Sequence, residues 1–150
     1  MKKQIIIALA VLGFFPFFTK AQILNHNFEK IDIYYADFSI MTAVNIPCHD
    51  FIAFSDEHKT ITDSLDIEIW IGILNRLKKT DTVNESCKDK LDTRAKLFLY
   101  GDNKNIMICI DNWNTDICNQ CYNTSSELKQ ALEKTFQKSK PYKHKKNNRK

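Results

Sequence analysis

From Lys30 the chain alternates. Ile31, Ile33 and Tyr35 fall on one side of an extended backbone, with Asp32 and Tyr34 on the other. Phe38, Ile40, Thr42, Val44 and Ile46 continue in extended character, and Ala36-Asp37-Phe38-Ser39 between the two runs predicts a turn. A first hairpin over 30–36 and 39–46 follows, ended by Pro47, which has no N–H to give to a ladder. The residues ahead of it, Gln22 to Phe28, read as a loose lead-in. Phe51 and Phe54, three apart, predict one short helical turn with an apolar side, and Lys59 to Thr62 a brief strand.

Residues 64–79 carry two periods at once. Leu65, Ile67, Ile69, Ile71 and Ile73 alternate like a strand, whereas Ile67, Trp70, Ile71, Leu74 and Leu77 line one side of a helix. Helix is favoured on three grounds. The run is long for a strand, Asp63 and Ser64 can cap its start, and Arg76, Lys78 and Lys79 sit where a helix dipole favours cations. Four isoleucines oppose it mildly, because β-branching restricts χ1 in a helix.

The stretch from Asp92 to Tyr122 reads as the centre of the fold. Ala95 to Tyr100 predicts a strand, Gly101-Asp102-Asn103-Lys104 a turn of residues that tolerate positive φ, and Ile106 to Ile110 the returning strand. Thr80 to Asp89, before it, is a polar loop. Thr124 and Glu127 match a capping box, and Leu128, Ala131, Leu132 and Phe136 make the apolar stripe of a helix reaching Gln137. Strands with two interspersed helices predict an α+β fold, a small antiparallel sheet with two main helices packed on one face.

The ends change the meaning of the charge. Lys2 and Lys3 precede an uncharged run from Ile5 to Phe18, and Thr19-Lys20-Ala21 places small residues before a cut ahead of Gln22. Residues 1–21 therefore read as an export signal, the rival being an uncleaved anchor. The run falls short of the about 20 residues a span needs, and Pro16 interrupts it. No later segment is apolar enough to anchor the chain, so no transmembrane span is expected once the signal is removed. No cysteine follows the cut, which argues against a lipid-anchored N-terminus. The other end, 138–150, has seven Lys or Arg, no acid, and Pro141; such a block repels itself and predicts a disordered basic tail. Between 22 and 137 stand 12 basic and 18 acidic residues, a net of −6 against +7 for the tail. That central stretch, with three glycines in the whole chain and no Gly-rich or Pro-rich linker, reads as a single domain of ordinary size.

All five cysteines, Cys48, Cys87, Cys109, Cys118 and Cys121, lie beyond the signal, and in an exported chain disulfides are the first expectation. Connectivity does not follow from sequence. One pair has a geometric rationale. If Asn119-Gln120 is a two-residue hairpin turn, Cys118 and Cys121 flank it within about 7 Å, near enough to bond as a clamp. A redox-active Cys-x-x-Cys is the alternative, but it needs a helix N-terminus or a cation to stabilise a thiolate. Here Asp116 is adjacent and the next helix starts near Thr124. Zinc held by Cys118, Cys121, Cys48 and His49 is a third reading, weakened because adjacent residues rarely share a metal, and no cofactor or metal is expected. Cys48-His49-Asp50 has the residue types of a thiol nucleophile site, but neighbours on an extended chain point apart.

Fewer signals come from elsewhere. Asp92 and Arg94 share a face and predict a salt bridge at a sheet edge; His26, His58 and His144 sit in polar surroundings and face solvent. Asn84-Glu85-Ser86 and Asn123-Thr124-Ser125 match the glycosylation acceptor pattern, relevant only in a eukaryotic secretory route. Lys138, Lys140, Lys143, Lys145, Lys146, Arg149 and Lys150, with Tyr142 among them, could hold an anionic polymer or surface; the plainer readings are a solubilising tail or an arm lying on its own acidic domain. The Thr-Lys-Ala ending before Gln22, the Ile31-Asp32 strand, Leu91-Asp92-Thr93-Arg94-Ala95-Lys96 and the ending from Tyr122 to Leu132 resemble small exported proteins of Bacteroidetes with no assigned function. That resemblance implies export and a compact α+β domain, and assigns no functional residue.

Paired carboxylates, phosphate-cradling glycines and Ser/His/Asp spacings are missing from the sequence, so nothing in it points to an enzyme. It reads as an exported protein, periplasmic or secreted, that binds or assists rather than catalyses, its partner unknown. The alternatives are a thiol-disulfide redox protein using Cys118 and Cys121, and a polyanion-binding protein acting through its tail.

Overall fold

The computed structural model describes residues 23–25, 27–40, 42–81 and 87–137. The segment 1–21 read as an export signal, His26, the acceptor pattern at Asn84 and the stretch 138–150 read as a basic tail, with His144, lie outside them. Strands β1 (Phe28–Tyr35), β2 (Glu57–Ile61), β3 (Lys78–Lys79), β4 (Ala95–Gly101), β5 (Asn105–Ile110), β6 (Asn114–Ile117) and β7 (Gln120–Asn123) form one sheet. Its order is β2-β1-β4-β5-β6-β7-β3, and every neighbouring pair is antiparallel. With helices α1 (Ser64–Asn75) and α2 (Ser126–Gln137), the class is α+β, the sheet seven strands wide rather than small.

Register explains the core. Ile31 stands opposite Leu99 and Leu99 opposite Ile106; Ile33, Leu97, Ile108 and Ile117 form the next row. These residues share a buried cluster with Ile67, Trp70, Ile73 and Leu74 of α1 and Leu128, Leu132 and Phe136 of α2. One stripe from each helix and one side of β1, β4, β5 and β6 thus leave water together, the pattern that makes both kinds of element amphipathic. The stretch 92–122 supplies the meander β4-β5-β6 and the start of β7, which is the middle of the sheet.

Several expectations change. The described residues of 39–46 form no strand, because β1 already has β2 on one edge and β4 on the other. It instead hooks onto the approach to β4: the Ile46 amide donates to Asp92 Oδ1 at 3.0 Å, and the Thr93 amide to the Ile46 carbonyl at 2.9 Å. The 3-10 turn at Phe51–Phe54 buries Phe51 but leaves Phe54 exposed, so its apolar side is one residue wide. Nor is the lead-in wholly loose. Leu24 is buried, and the Asn75 side chain accepts from its amide at 2.7 Å and donates to its carbonyl at 3.0 Å.

Helix α1 starts where Asp63 caps it, the carboxylate accepting from the Leu65 and Asp66 amides at 3.0 Å. It ends at Asn75 rather than at 79: Leu77 turns inward, and Lys78 and Lys79 pair with Asn123 and Tyr122 as an edge strand. At the second helix the cap is Ser125, whose hydroxyl accepts from the Leu128 amide at 3.1 Å. Thr124 bonds Thr115 instead, and Glu127 reaches Arg76, the residue that follows α1, with Arg76 donating at 2.6 and 3.2 Å. Gly101 has no positive φ; it is glycine because a Cβ there would lie 2.4 Å from the Asn27 carbonyl oxygen.

Candidate functional site

Strand alternation that sends isoleucine and leucine into the core sends the remaining side chains to the other face. On β1 these are Lys30, Asp32 and Tyr34, on β2 His58 and Thr60, on β4 Lys96, Phe98 and Tyr100. Pairing sets Asp32 between Thr60 and Phe98, and Tyr34 between His58 and Lys96. The helices contribute no residue to the two small apolar clusters of this side, which gather Ala36, Ile46 and Phe51, and Cys48, Leu91 and Cys109.

Asp32 is its polar centre. The carboxylate is mostly buried and accepts from the Thr60 hydroxyl at 2.6 Å and the Lys30 ammonium at 3.0 Å, with His58 Nε2 at 3.8 Å. Burial alone would raise the Asp32 carboxyl; the donors Thr60, Lys30 and Tyr100 together outweigh it and hold the group below the ordinary aspartate value. Tyr100 is shifted the other way, by burial first and then by the Asp32 charge, so its phenol keeps the proton it donates.

That shift has a measurable sign. A carboxyl whose folded-state pKa lies below its unfolded value of about 3.9 adds stability that is complete at higher pH and is lost as pH falls through the folded pKa. Acid unfolding of the wild type should therefore carry an Asp32 contribution below about pH 4, and Asp32→Asn should flatten that part of the stability-against-pH curve. An unchanged slope in urea titrations over that range would count against this assignment.

Around Asp32 the rings occupy one another. Tyr34 stacks on His58 across the strands, centroids 4.4 Å apart and planes 19° from parallel. Phe98 meets Tyr34 edge-on at 6.0 Å and lies beside Tyr100 at 6.4 Å. The Lys30 ammonium covers Tyr100 at 3.9 Å, and that of Lys96 stands 5.2 Å from the centre of the Phe98 ring. Stacking between neighbouring strands requires the Tyr34 and His58 planes to stand upright on the sheet, so they present edges outward. His58 is exposed to solvent, as expected, and in addition stacks on Tyr34.

Toward β5, β6 and β7 this face is closed by two covalent clamps. Cys48 is bonded to Cys109 and Cys87 to Cys121. The clamp expected between Cys118 and Cys121 is not formed, because the hairpin turn falls one residue earlier. Cys118 and Asn119 take positive φ, 53° and 62°, and Ile117 pairs with Gln120. Cys121 thereby moves into the ladder opposite Asp116, and Cys118 stays at the tip, exposed and free. Asp116 holds the arrangement, accepting from the Cys87 and Asn119 amides at 3.2 Å.

The four residues weighed for zinc are not assembled, since Cys48 and Cys121 belong to separate disulfides. His49 pairs with Asp50 at the surface at 3.2 Å, while Cys48 is buried in its disulfide, so the Cys48-His49-Asp50 run forms no catalytic set. Lys96 is buried, and its ammonium donates to the Cys48 carbonyl at 2.8 Å; burial, reinforced by Lys88, lowers its pKa. Asp92 and Arg94 do pair, at the entrance to an interior strand rather than at a sheet edge. The Asn123 acceptor site is exposed at the end of β7.

The row around Asp32 was not singled out from the sequence. The available signal was the type of residue on the polar phase of β1 and β4: Tyr34, Phe98 and Tyr100 are aromatic where a merely solvated face would be polar. Neither the sequence nor the fold matches a known family, a curated protein or a solved structure.

Proposed function

We propose that this chain is an exported, non-enzymatic binding or accessory protein. In this reading both helices pack on one face of the sheet, and the opposite face along β2, β1 and β4 meets a polypeptide partner. The observation that carries it is the row Lys30, Asp32, Tyr34, His58, Phe98 and Tyr100, whose groups are held in place by one another. Rings fixed beforehand lose little entropy on binding, and aromatic side chains dominate protein interfaces for that reason. Tyr34 and His58 cover one face of each other and Lys30 covers one face of Tyr100, which favours ring edges and polar tips as the groups on offer. Edges carry the positive end of the ring quadrupole and attract carbonyl and carboxylate oxygens, whereas a sugar or a base needs a bare ring face.

Chemistry is disfavoured by the same geometry. Asp32 is ionised at neutral pH and already surrounded by donors, so it lacks the raised pKa of a general acid and the free lone pairs of a base. Export is supported by the leader-like 1–21 segment, by the resemblance to small exported Bacteroidetes proteins, and by two disulfides, which persist in oxidising compartments. Among the described residues no helix is long and apolar enough to cross a membrane.

Photo-crosslinking tests the surface. With p-benzoylphenylalanine placed at position 98 in exporting cells, a discrete protein adduct is expected. The same group at the exposed Ile69 of α1 should give none, and Tyr34→Ala with Tyr100→Ala should remove the adduct at 98. No adduct from 98, or equal adducts from both positions, would sink the reading.

A further inference from the structure

Where β1 ends and α2 ends, a groove of about 210 Å³ opens, lined by Tyr35, Asp37, Asp56, Glu57, Glu133, Phe136 and Gln137. Its base is aromatic: Tyr35 and Phe136 stack with centroids 4.9 Å apart and planes 5° from parallel. Its walls carry four carboxylates, and no Lys or Arg is among the lining residues. The C-terminal end of α2 adds the negative end of a helix dipole at the same place. The field is felt by Tyr35, whose phenol is pushed up to about 12 by burial first and then by Asp37, Glu133 and Glu57.

The next residue after groove-lining Gln137 is Lys138, the first of seven cations in a stretch with no acid. We infer that residues 138–150 dock back onto this groove in cis, lysines against the carboxylate walls and Tyr142 toward the aromatic base. Charge and position both select this occupant. The folded part is −6 and the tail +7, and the tether begins at the groove itself, so little loop must be closed. Thirteen residues at about 3.3 Å each reach ~40 Å, ample to return along the groove. Attachment holds the cations at an effective concentration of the order of millimolar, enough for a contact of weak intrinsic affinity. Exposed ion pairs are screened by salt, so the docked state belongs to low and moderate ionic strength. A polyanion reaching the tail would have to displace it from the groove.

Nuclear magnetic resonance of the full chain decides this, with a synthetic peptide of residues 138–150 as the free reference. In low salt the tail amides should stand apart from the peptide's shifts, and should move onto them in about 1 M salt, where screening reaches about 3 Å. Asp56→Asn with Glu133→Gln should produce the same loss without salt. The control Asp66→Asn with Glu68→Gln removes the same charge from α1 and should leave the tail shifts in place. Core amide dispersion in each variant reports that the domain is folded. Tail amides at free-peptide shifts in low salt, or equal effects of the two double variants, would overturn the inference.

Discussion

Replacing Cys48 and Cys109 together by alanine should lower the unfolding free energy by about 4 kcal/mol, the largest effect expected of any paired substitution in this fold. The bond closes a span of 61 residues, running from the segment after Pro47 to the penultimate residue of β5. In the unfolded chain that closure removes much of the freedom of loop, β2, α1 and β4 alike, and the entropy lost grows with the logarithm of the loop. Against a typical stability of about 5–15 kcal/mol, the loss is a large fraction of the total. Alanine at both sites avoids stranding a thiol, since both cysteines are buried. Urea unfolding measures it, and the m-value should rise because the released chain exposes more surface. The Cys87–Cys121 bond, closing 34 residues, should be worth slightly less. Cys118→Ala should be nearly neutral, because Cys118 is exposed and unbonded. A loss below about 1 kcal/mol for the Cys48/Cys109 pair would show that the unfolded chain is compact without the bond.

Element type was legible wherever periodicity was unambiguous. Gly101 to Lys104 is short and polar between two β-runs, and the hairpin of β4 and β5 stands there. Leu128, Leu132 and Phe136 at helical spacing lie buried along α2, as amphipathicity requires. In α1 the helical period prevails over the alternating one, and Asp63 supplies a cap that a strand could not use. What escaped was partnership. Segment 39–46 has the composition of a strand, yet whether it forms one depends on β1 having a free edge, and the strands that fill those edges come from residues 57–61 and 95–101.

The cysteines show the same limit at the scale of one residue. Asn119-Gln120 and Cys118-Asn119 are both plausible two-residue turns by local chemistry, since each contains an asparagine that tolerates positive φ. Register decides between them, and register is fixed by Ile117 joining Ile108 and Ile33 in the core row. A shift of one residue exchanges the faces of a strand, and with it the partner of Cys121. Asp32 was hidden for a related reason. Its donors Thr60 and Tyr100 stand 28 and 68 positions away, and alternation alone assigns each only a face.

Asp92→Ala should destabilise the protein by about 3 kcal/mol or more, and Arg94→Met by much less. The two side chains pair with each other, but they are unequally placed. Arg94 is 3% exposed and Asp92 32%. The guanidinium donates to Asp92 and, at 3.1 Å, to the Thr42 hydroxyl, while its Nε has no partner among the described residues. Removing Asp92 therefore leaves a buried guanidinium with its charge uncompensated. It also frees the Ile46 amide, which Asp92 binds at 3.0 Å, and with it the hook that holds 42–46 to the start of β4. Removing Arg94 instead takes away the buried charge and the orphaned donor together. The Asp92 carboxylate left behind is exposed enough to be solvated and keeps its bond to the Ile46 amide. Methionine fills a similar length with flexible apolar atoms. Urea unfolding of the two single variants reads the asymmetry directly. If Arg94→Met proved the more damaging, the buried arginine would be a net source of stability through its packing, and the desolvation account of this pair would be wrong.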